Sequence, residues 1–74
     1  MAKTISGKQA VKILTRNFGF EVVGRKGSHV KLRKIEEGAK ITTIVPDHKE
    51  LARGTLKSAL KLAKVSERDF WDYA

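Results

Sequence analysis

The chain contains no cysteine, which excludes disulfide bonds and thiolate metal sites. Its only histidines, His29 and His48, are 19 residues apart and have no cluster of carboxylates beside them. This is a poor metal-binding pattern, and we expect neither a metal nor another cofactor. The longest apolar runs are only a few residues, too short for a signal peptide or a membrane span. We therefore expect a cytoplasmic protein without a membrane partner.

Acidic residues are also scarce. Eight Asp and Glu stand against sixteen Lys and Arg in 74 residues, and the formal net charge is +8. A chain of this length has a small core, because it buries only about 60–65% of its unfolded surface, and we expect one domain over residues 1–74. The charge exceeds what solubility alone requires of such a domain. Nucleic acid is therefore the expected class of partner, and a simply solvated basic surface is the alternative.

Cap residues and helical spacing predict helices towards both ends of the chain. Ser6-Gly7-Lys8-Gln9 has the pattern of a capping box, and the apolar residues after it keep helical spacing up to the closing Gly19. Apolar residues between Leu56 and Ala63 predict a second helix whose other face carries lysines. This lysine face is either simply solvated or grips an RNA backbone, as in double-stranded-RNA-binding domains. Ser66 predicts a cap for a short last helix. Its aromatic residues either cap the core or form part of a partner surface; they are Phe70, Trp71 and Tyr73.

The middle of the chain predicts three antiparallel strands, rich in β-branched and apolar residues. The predicted strands are Phe20–Gly24, Ser28–Lys34 and Lys40–Val45. A turn over Gly24–Gly27 and a loop over Glu36–Ala39 connect them, and Pro46 ends the last strand. The order is α-β-β-β-α with a short C-terminal helix. We expect an α+β fold, in which the helices cover one face of a three-stranded antiparallel sheet and leave the other face free.

His29 lies in a thirteen-residue basic segment, residues 22–34, that contains no acidic residue. If the second half of this segment is a strand, its apolar residues face the core. His29, Lys31 and Arg33 then share the solvent face. A neutral imidazole among cations can transfer protons near pH 7 while its neighbours hold a polyanion, which is suitable equipment for gripping or cutting a phosphodiester.

Four different short motifs follow one another along the chain: Ser6-Gly7-Lys8, Gly27-Ser28-His29, Val45-Pro46-Asp47-His48 and Gly54-Thr55-Leu56-Lys57. In this order and at this spacing they resemble the HicA family of bacterial and archaeal toxins, over roughly residues 5–65. The resemblance implies a fold like that of double-stranded-RNA-binding domains. It also implies ribosome-independent cleavage of mRNA by the toxin of a type II toxin–antitoxin system, and inhibition by a cognate HicB antitoxin.

The resemblance further implies roles for individual residues. His29 matches the catalytic histidine of the family, and Gly27 and Ser28 match the residues that present it. In this role His29 is a general acid or base in the attack of a ribose 2′-hydroxyl on the adjacent phosphate, which gives a 2′,3′-cyclic phosphate. His48 falls where family members often have a second histidine. It either supplies the complementary proton or is an ordinary loop histidine.

RNA binding is expected to rest on cations near His29. We expect phosphate contacts from Arg25, Lys26, Lys31 and Arg33, an expectation that rests on their charge and on strand geometry. Gly54-Thr55, at the start of the second helix, offers free backbone N–H groups as a further phosphate seat.

The sequence thus predicts a metal-independent endoribonuclease toxin, with RNA and a HicB-like antitoxin as partners. One alternative with the same charge and fold is a non-catalytic double-stranded-RNA-binding module. A second is a protein-interaction module whose basic face meets an acidic partner.

Overall fold

The computed structural model describes residues 4–74, so residues 1–3 of the predicted domain lie outside the described part. The elements are α1 (Gly7–Asn17), β1 (Glu21–Lys26), β2 (His29–Glu36), β3 (Ala39–Pro46), α2 (Arg53–Ala63) and α3 (Glu67–Trp71). The strands form one antiparallel sheet in the order β1-β2-β3. The predicted α-β-β-β-α order with a short C-terminal helix is confirmed. No helix in residues 4–74 is long and apolar enough to cross a membrane.

Two of the helices begin at the cap residues that the sequence predicts. The hydroxyl oxygen of Ser6 accepts the N–H of Gln9 at 3.1 Å, and the Ser6 N–H donates to the Gln9 side chain at 3.0 Å. Ser66 caps α3 in the same way, because its hydroxyl accepts the Asp69 N–H at 3.1 Å. Gly19 follows α1 with a φ of +77°, the left-handed conformation expected just after a helix.

The turn between β1 and β2 is shorter than predicted. The sequence predicted a turn over Gly24–Gly27, but β1 continues through Lys26 and only Gly27 and Ser28 lie outside the strands. Gly27 has a φ of +58°, which a glycine at the first position of a two-residue hairpin turn adopts without strain. Two-residue turns continue the twist of the flanking strands. The longer β1 brings Lys26 directly opposite His29.

The second hairpin turn is also shorter than predicted. In place of a loop over Glu36–Ala39, only Glu37 and Gly38 lie between β2 and β3. Both residues have positive φ, +51° and +80°, as the type I′ hairpin turn requires. The pairing of β2 with β3 is consequently regular over all eight residues of each strand.

The buried side chains of the sheet face the helices. Val30 and Leu32 of β2 are buried while the residues that alternate with them are more exposed, as expected for a strand with one wet face. The hydroxyl of Thr43 donates to the Ala59 carbonyl oxygen at 2.7 Å, which ties β3 to α2 and satisfies the buried polar group. The largest fully buried apolar side chains are Leu14, Leu32, Val45, Leu60 and Phe70.

The C-terminal aromatic residues differ in burial. Phe70 is fully buried in the core, and Trp71 packs partly buried against it. Tyr73 is 55% exposed and meets the Phe18 ring edge-on, with ring centroids 5.5 Å apart. Phe70 therefore belongs to the core, whereas Tyr73 belongs to the surface.

Candidate functional site

The face of the sheet opposite the helices, here called the open face, carries His29 in the middle strand. Lys31, Arg33 and Ile35 follow it on the same side of β2. Side chains directly opposite in an antiparallel pair point to the same side of the sheet. The pairing therefore adds residues from β1 and β3 to this face; they are Glu21, Gly24 and Lys26 from β1, and Lys40, Thr42 and Ile44 from β3.

The open face is electropositive. Among the residues named above, four are cations and one is a carboxylate, Glu21. The cations are Lys26, Lys31, Arg33 and Lys40. Within residues 4–74 none of the four takes part in an ion pair. Their charges are therefore available to an anionic ligand, and phosphate groups are the expected partners of such a patch.

Arg25 lies apart from the other predicted phosphate ligands. It is directly opposite the buried Val30, so its side chain leaves the sheet on the helix side. Its guanidinium forms an ion pair with the Asp47 carboxylate, and its Nε–H donates to the Gly27 carbonyl oxygen at 3.3 Å. Three of the four predicted cations thus share a face with His29. The fourth, Arg25, instead stabilises the turn that precedes His29.

The turn before His29 and the segment after β3 meet at one end of the sheet. His29 is paired with Pro46, and the N–H of Asp47 donates to the carbonyl oxygen of Ser28 at 2.5 Å. Both histidines therefore lie at this end, because His48 is only two residues beyond Pro46. His29 and His48 are both exposed, so a ligand can reach either imidazole.

The first turn of α1 lies against the same segment. The Gly7 N–H donates to the carbonyl oxygen of His48 at 2.8 Å. A shallow cavity of about 320 Å³ opens beside this contact, and its lining consists of Ser6, Lys8, Asp47, His48 and Lys49. The start of α1 therefore adds Lys8 to the cations around His48.

Gly7 is a site residue whose role sequence reasoning missed. A Cβ atom at Gly7 would lie 2.0 Å from the Pro46 carbonyl oxygen and 2.8 Å from the Asp47 Cα atom. Neither backbone atom can move away as a flexible side chain can, so only glycine permits this approach. The sequence did contain a signal for this role: Gly7 lies in the first turn of a helix, where most other residues are better helix formers.

The arrangement combines a proton-transfer group with anion-binding groups. His29 supplies an imidazole, and Lys26 and Lys31 lie on the same face, one across the strand pair and one two residues along. Residues 4–74 hold no group of three or more Asp, Glu and His side chains that could bind a metal ion. The chemistry that an imidazole and neighbouring cations themselves offer is acid–base transfer beside a bound anion.

The predicted phosphate seat at Gly54-Thr55 lies in the first turn of α2. The N-cap residue of α2, Ala52, makes no side-chain cap hydrogen bond, and the first turn contains no acidic residue. A Cβ atom at Gly54 would meet no atom within 4 Å. Gly54 and Thr55 are exposed, so a ligand can reach this turn, and the phosphate seat itself stays a prediction.

Comparison with known proteins gives one family. A family model described as the HicA toxin of bacterial toxin-antitoxin matches residues 7–65. The matched region contains α1, the whole sheet and α2, and therefore both histidines and the cations of the open face. A comparison with curated proteins and one with solved structures each find no match. The resemblance inferred from the four motifs is confirmed by the family match.

Proposed function

We propose that this chain, which belongs to the HicA family of toxins from bacterial toxin–antitoxin systems, is an endoribonuclease that cleaves mRNA with His29 in acid–base catalysis. One observation carries the proposal. His29 is exposed on the open face of the sheet, directly opposite Lys26 and on the same side of β2 as Lys31. An imidazole in this position can reach a phosphodiester that the neighbouring cations hold.

The reaction is an internal transfer at phosphorus. The ribose 2′-oxygen forms a bond to the adjacent phosphorus, the bond from phosphorus to the 5′-oxygen of the next nucleotide breaks, and a 2′,3′-cyclic phosphate results. One group must remove the 2′-hydroxyl proton and another must protonate the leaving 5′-oxygen. A positioned side chain contributes about 10²–10⁴-fold to such a proton transfer, and we assign one of the two transfers to His29.

His48 is the candidate for the other proton transfer. It lies at the same end of the sheet as His29, and the hydrogen bond from Gly7 to its carbonyl oxygen fixes its backbone. Its side chain is exposed beside Lys8 and Lys49. An acid on one side of the scissile bond and a base on the other suit an in-line displacement.

Lys26, Lys31 and Arg33 bind the RNA backbone in this proposal. Their positive charges also stabilise the extra negative charge that develops on the phosphorane oxygens in the transition state. Contacts of this kind position the RNA without reading its sequence. Arg25 acts differently, because its guanidinium is already paired with Asp47.

The products of cleavage test the reaction. RNA incubated with the protein should yield fragments that end in a 2′,3′-cyclic phosphate and fragments that begin with a 5′-hydroxyl. An otherwise identical RNA with a 2′-deoxy sugar at the cleaved position should stay intact, because the nucleophile is missing. Fragments with 5′-phosphate ends, or cleavage of the deoxy-substituted RNA, would contradict this mechanism. Binding of RNA without any cleavage would favour the non-catalytic RNA-binding module.

We further propose that a HicB-like antitoxin inhibits the toxin by covering the open face. The unpaired cations of this face attract carboxylates as well as phosphates, and two exposed apolar side chains lie among them, Ile35 and Ile44, at 68% and 45% exposure. A stable complex buries about 1,200–2,000 Å² in total, enough to include His29.

Competition tests this arrangement. RNA should fail to bind the preformed complex, and Lys31→Glu combined with Arg33→Glu should weaken the binding of both antitoxin and RNA. Unchanged RNA affinity of the complex would show that the antitoxin acts from another surface.

A further inference from the structure

A second cavity, separate from the end of the sheet that carries His29, lies between α1 and the C-terminal residues. Its volume is about 380 Å³, and its lining is more apolar than that of the cavity beside His48. Residues of its wall include Ile5, Gln9, Lys12, Ile13, Trp71 and Tyr73. It thus combines two aromatic side chains with a cation, and we call it the α1 groove.

The two aromatic rings of the groove are held by the core. Trp71 meets the buried Phe70 ring edge-on, with centroids 5.5 Å apart, and Tyr73 meets Phe18 in the same geometry. More than half of Tyr73 nevertheless remains exposed. Aromatic rings that are fixed in place and partly exposed provide platforms on which a nucleic-acid base can stack.

A line of cations connects the α1 groove to the catalytic end. Lys8, Lys12 and Arg16 follow one another at intervals of four residues on α1, which places them on one side of the helix, about 6 Å apart along its axis. Lys8 lines the cavity with His48, and Lys12 lines the α1 groove. The line therefore runs from the proposed active site to the aromatic side chains.

Lys8 and Lys12 do not serve the stability of the helix, whereas Arg16 lies in its last turn, where a cation is favourable. Like charges four residues apart destabilise a helix, and α1 contains no acidic residue. Within residues 4–74 neither Lys8, Lys12 nor Arg16 makes an ion pair. All three are exposed, so their charges are available to a polyanion.

We propose that the α1 groove binds a nucleotide of single-stranded RNA beyond the scissile phosphate, with its base against Trp71 and Tyr73 and its phosphate at Lys12. Lys8 holds the phosphate between this nucleotide and the catalytic end. The identity of the ligand as RNA rests on the proposed function. The groove itself is argued from its aromatic and cationic lining, which matches the two parts of a nucleotide.

Trp71 makes the proposal directly measurable, because it is the only tryptophan of the chain. The His29→Ala variant, which should bind RNA without cutting it, is titrated with a single-stranded hexaribonucleotide. Tryptophan emission and the anisotropy of a labelled copy of the same RNA are recorded in parallel. A base that stacks on Trp71 alters its fluorescence, so tryptophan emission should change as RNA is added. The dissociation constant from the emission titration should equal the one from anisotropy.

Substitutions locate the contact. In the same background, Tyr73→Leu should raise the dissociation constant at least about fivefold, in the range measured for loss of a stacking contact, and Lys12→Gln should raise it and lower its salt dependence. Matched controls lie on α2, where Lys61→Gln removes one exposed lysine charge and Leu62→Ala shortens an exposed apolar side chain. Both controls should leave the dissociation constant within twofold.

The failure of this proposal is distinguishable from that of the catalytic one. RNA that binds by anisotropy without changing Trp71 emission, and with affinity insensitive to Tyr73→Leu and Lys12→Gln, would overturn the groove even if the wild-type protein cuts RNA. A Trp71 response and the two substitution effects without cleavage by the wild type would support the groove and overturn the endoribonuclease. Absence of RNA binding would overturn both. A Trp71 response to an antitoxin but not to RNA would assign the groove to a protein interface.

Discussion

The guanidinium of Arg25 in β1 forms an ion pair with the carboxylate of Asp47, which follows β3. β1 and β3 are not neighbours, because β2 lies between them, so the pair spans the end of β2 where His29 begins the strand. The backbone N–H of Asp47 also donates to Ser28, and the Arg25 Nε–H donates to Gly27. These contacts hold the turn that presents His29 against the segment that carries His48.

Loss of the Arg25–Asp47 ion pair should slow catalysis more than it weakens RNA binding. Asp47→Asn removes the carboxylate charge that pairs with Arg25 and so weakens the contact that holds the turn, and a small misplacement of a catalytic group can lower the rate by about 100-fold. We expect kcat to fall about 10- to 100-fold, with KM little changed because Asp47 makes none of the proposed RNA contacts. Steady-state cleavage of a defined RNA measures both quantities.

Glu36→Gln is the matched control for Asp47→Asn. It removes a carboxylate from the Lys34–Glu36 ion pair, whose atoms are 3.2 Å apart at the other end of β2, and it changes the net charge by the same amount. Its kcat should stay close to that of the wild type. Equal rates for the two variants would show that the Arg25–Asp47 pair has no part in positioning His29.

Gly7→Ala should destabilise the protein. The added Cβ would lie 2.0 Å from the Pro46 carbonyl oxygen, and overpacking of this kind costs about 1–3 kcal/mol. Gly54→Ala in α2 is the control, because its Cβ meets no atom within 4 Å. It should stabilise the protein by about 0.5–1 kcal/mol, the advantage of Ala over Gly in a helix. Urea unfolding measures both, and equal stability of Gly7→Ala and wild type would contradict the close packing.

Short-range patterns allowed the fold and one face of the site to be predicted from the sequence. The Ser6 cap is a local hydrogen-bond pattern, and the shared face of His29, Lys31 and Arg33 follows from the two-residue period of a strand. The pairing of Arg25 with Asp47 joins residues 22 positions apart and depends on where β1 ends. The predicted turn over Gly24–Gly27 ended β1 too early and placed Arg25 outside the strand. The side of the sheet to which Arg25 points therefore could not be predicted.

Neutralisation of two cations of the open face should weaken the binding of RNA whatever the RNA sequence is. Lys31→Gln with Arg33→Gln removes two proposed phosphate contacts, which should flatten the slope of log K against log salt by about 1.4 for a single strand. Lys61→Gln with Lys64→Gln makes the same change of charge at the C-terminal end of α2 and should leave most of the slope. Anisotropy titrations at several salt concentrations measure it. Equal slopes for the two double variants would place the RNA away from the open face.

Cleavage should not depend on a divalent metal ion. The proposed proton transfers use imidazoles, and the negative charge of the transition state is met by Lys26, Lys31 and Arg33 rather than by a cation from solution. The cleavage rate should therefore stay the same in excess EDTA at constant ionic strength. A rate that is lost with EDTA and returns with Mg²⁺ would contradict metal-independent catalysis.

The most direct measurement compares RNA cleavage by the wild type and by His29→Ala at saturating RNA. The side chain is exposed, so the substitution should leave the fold intact, which circular dichroism and thermal unfolding can verify. We predict that kcat falls by about 10²–10⁴-fold, the contribution of a positioned acid or base, while the RNA dissociation constant changes only a few-fold. A folded His29→Ala protein that cleaves RNA at the wild-type rate would show that His29 is not the catalytic residue.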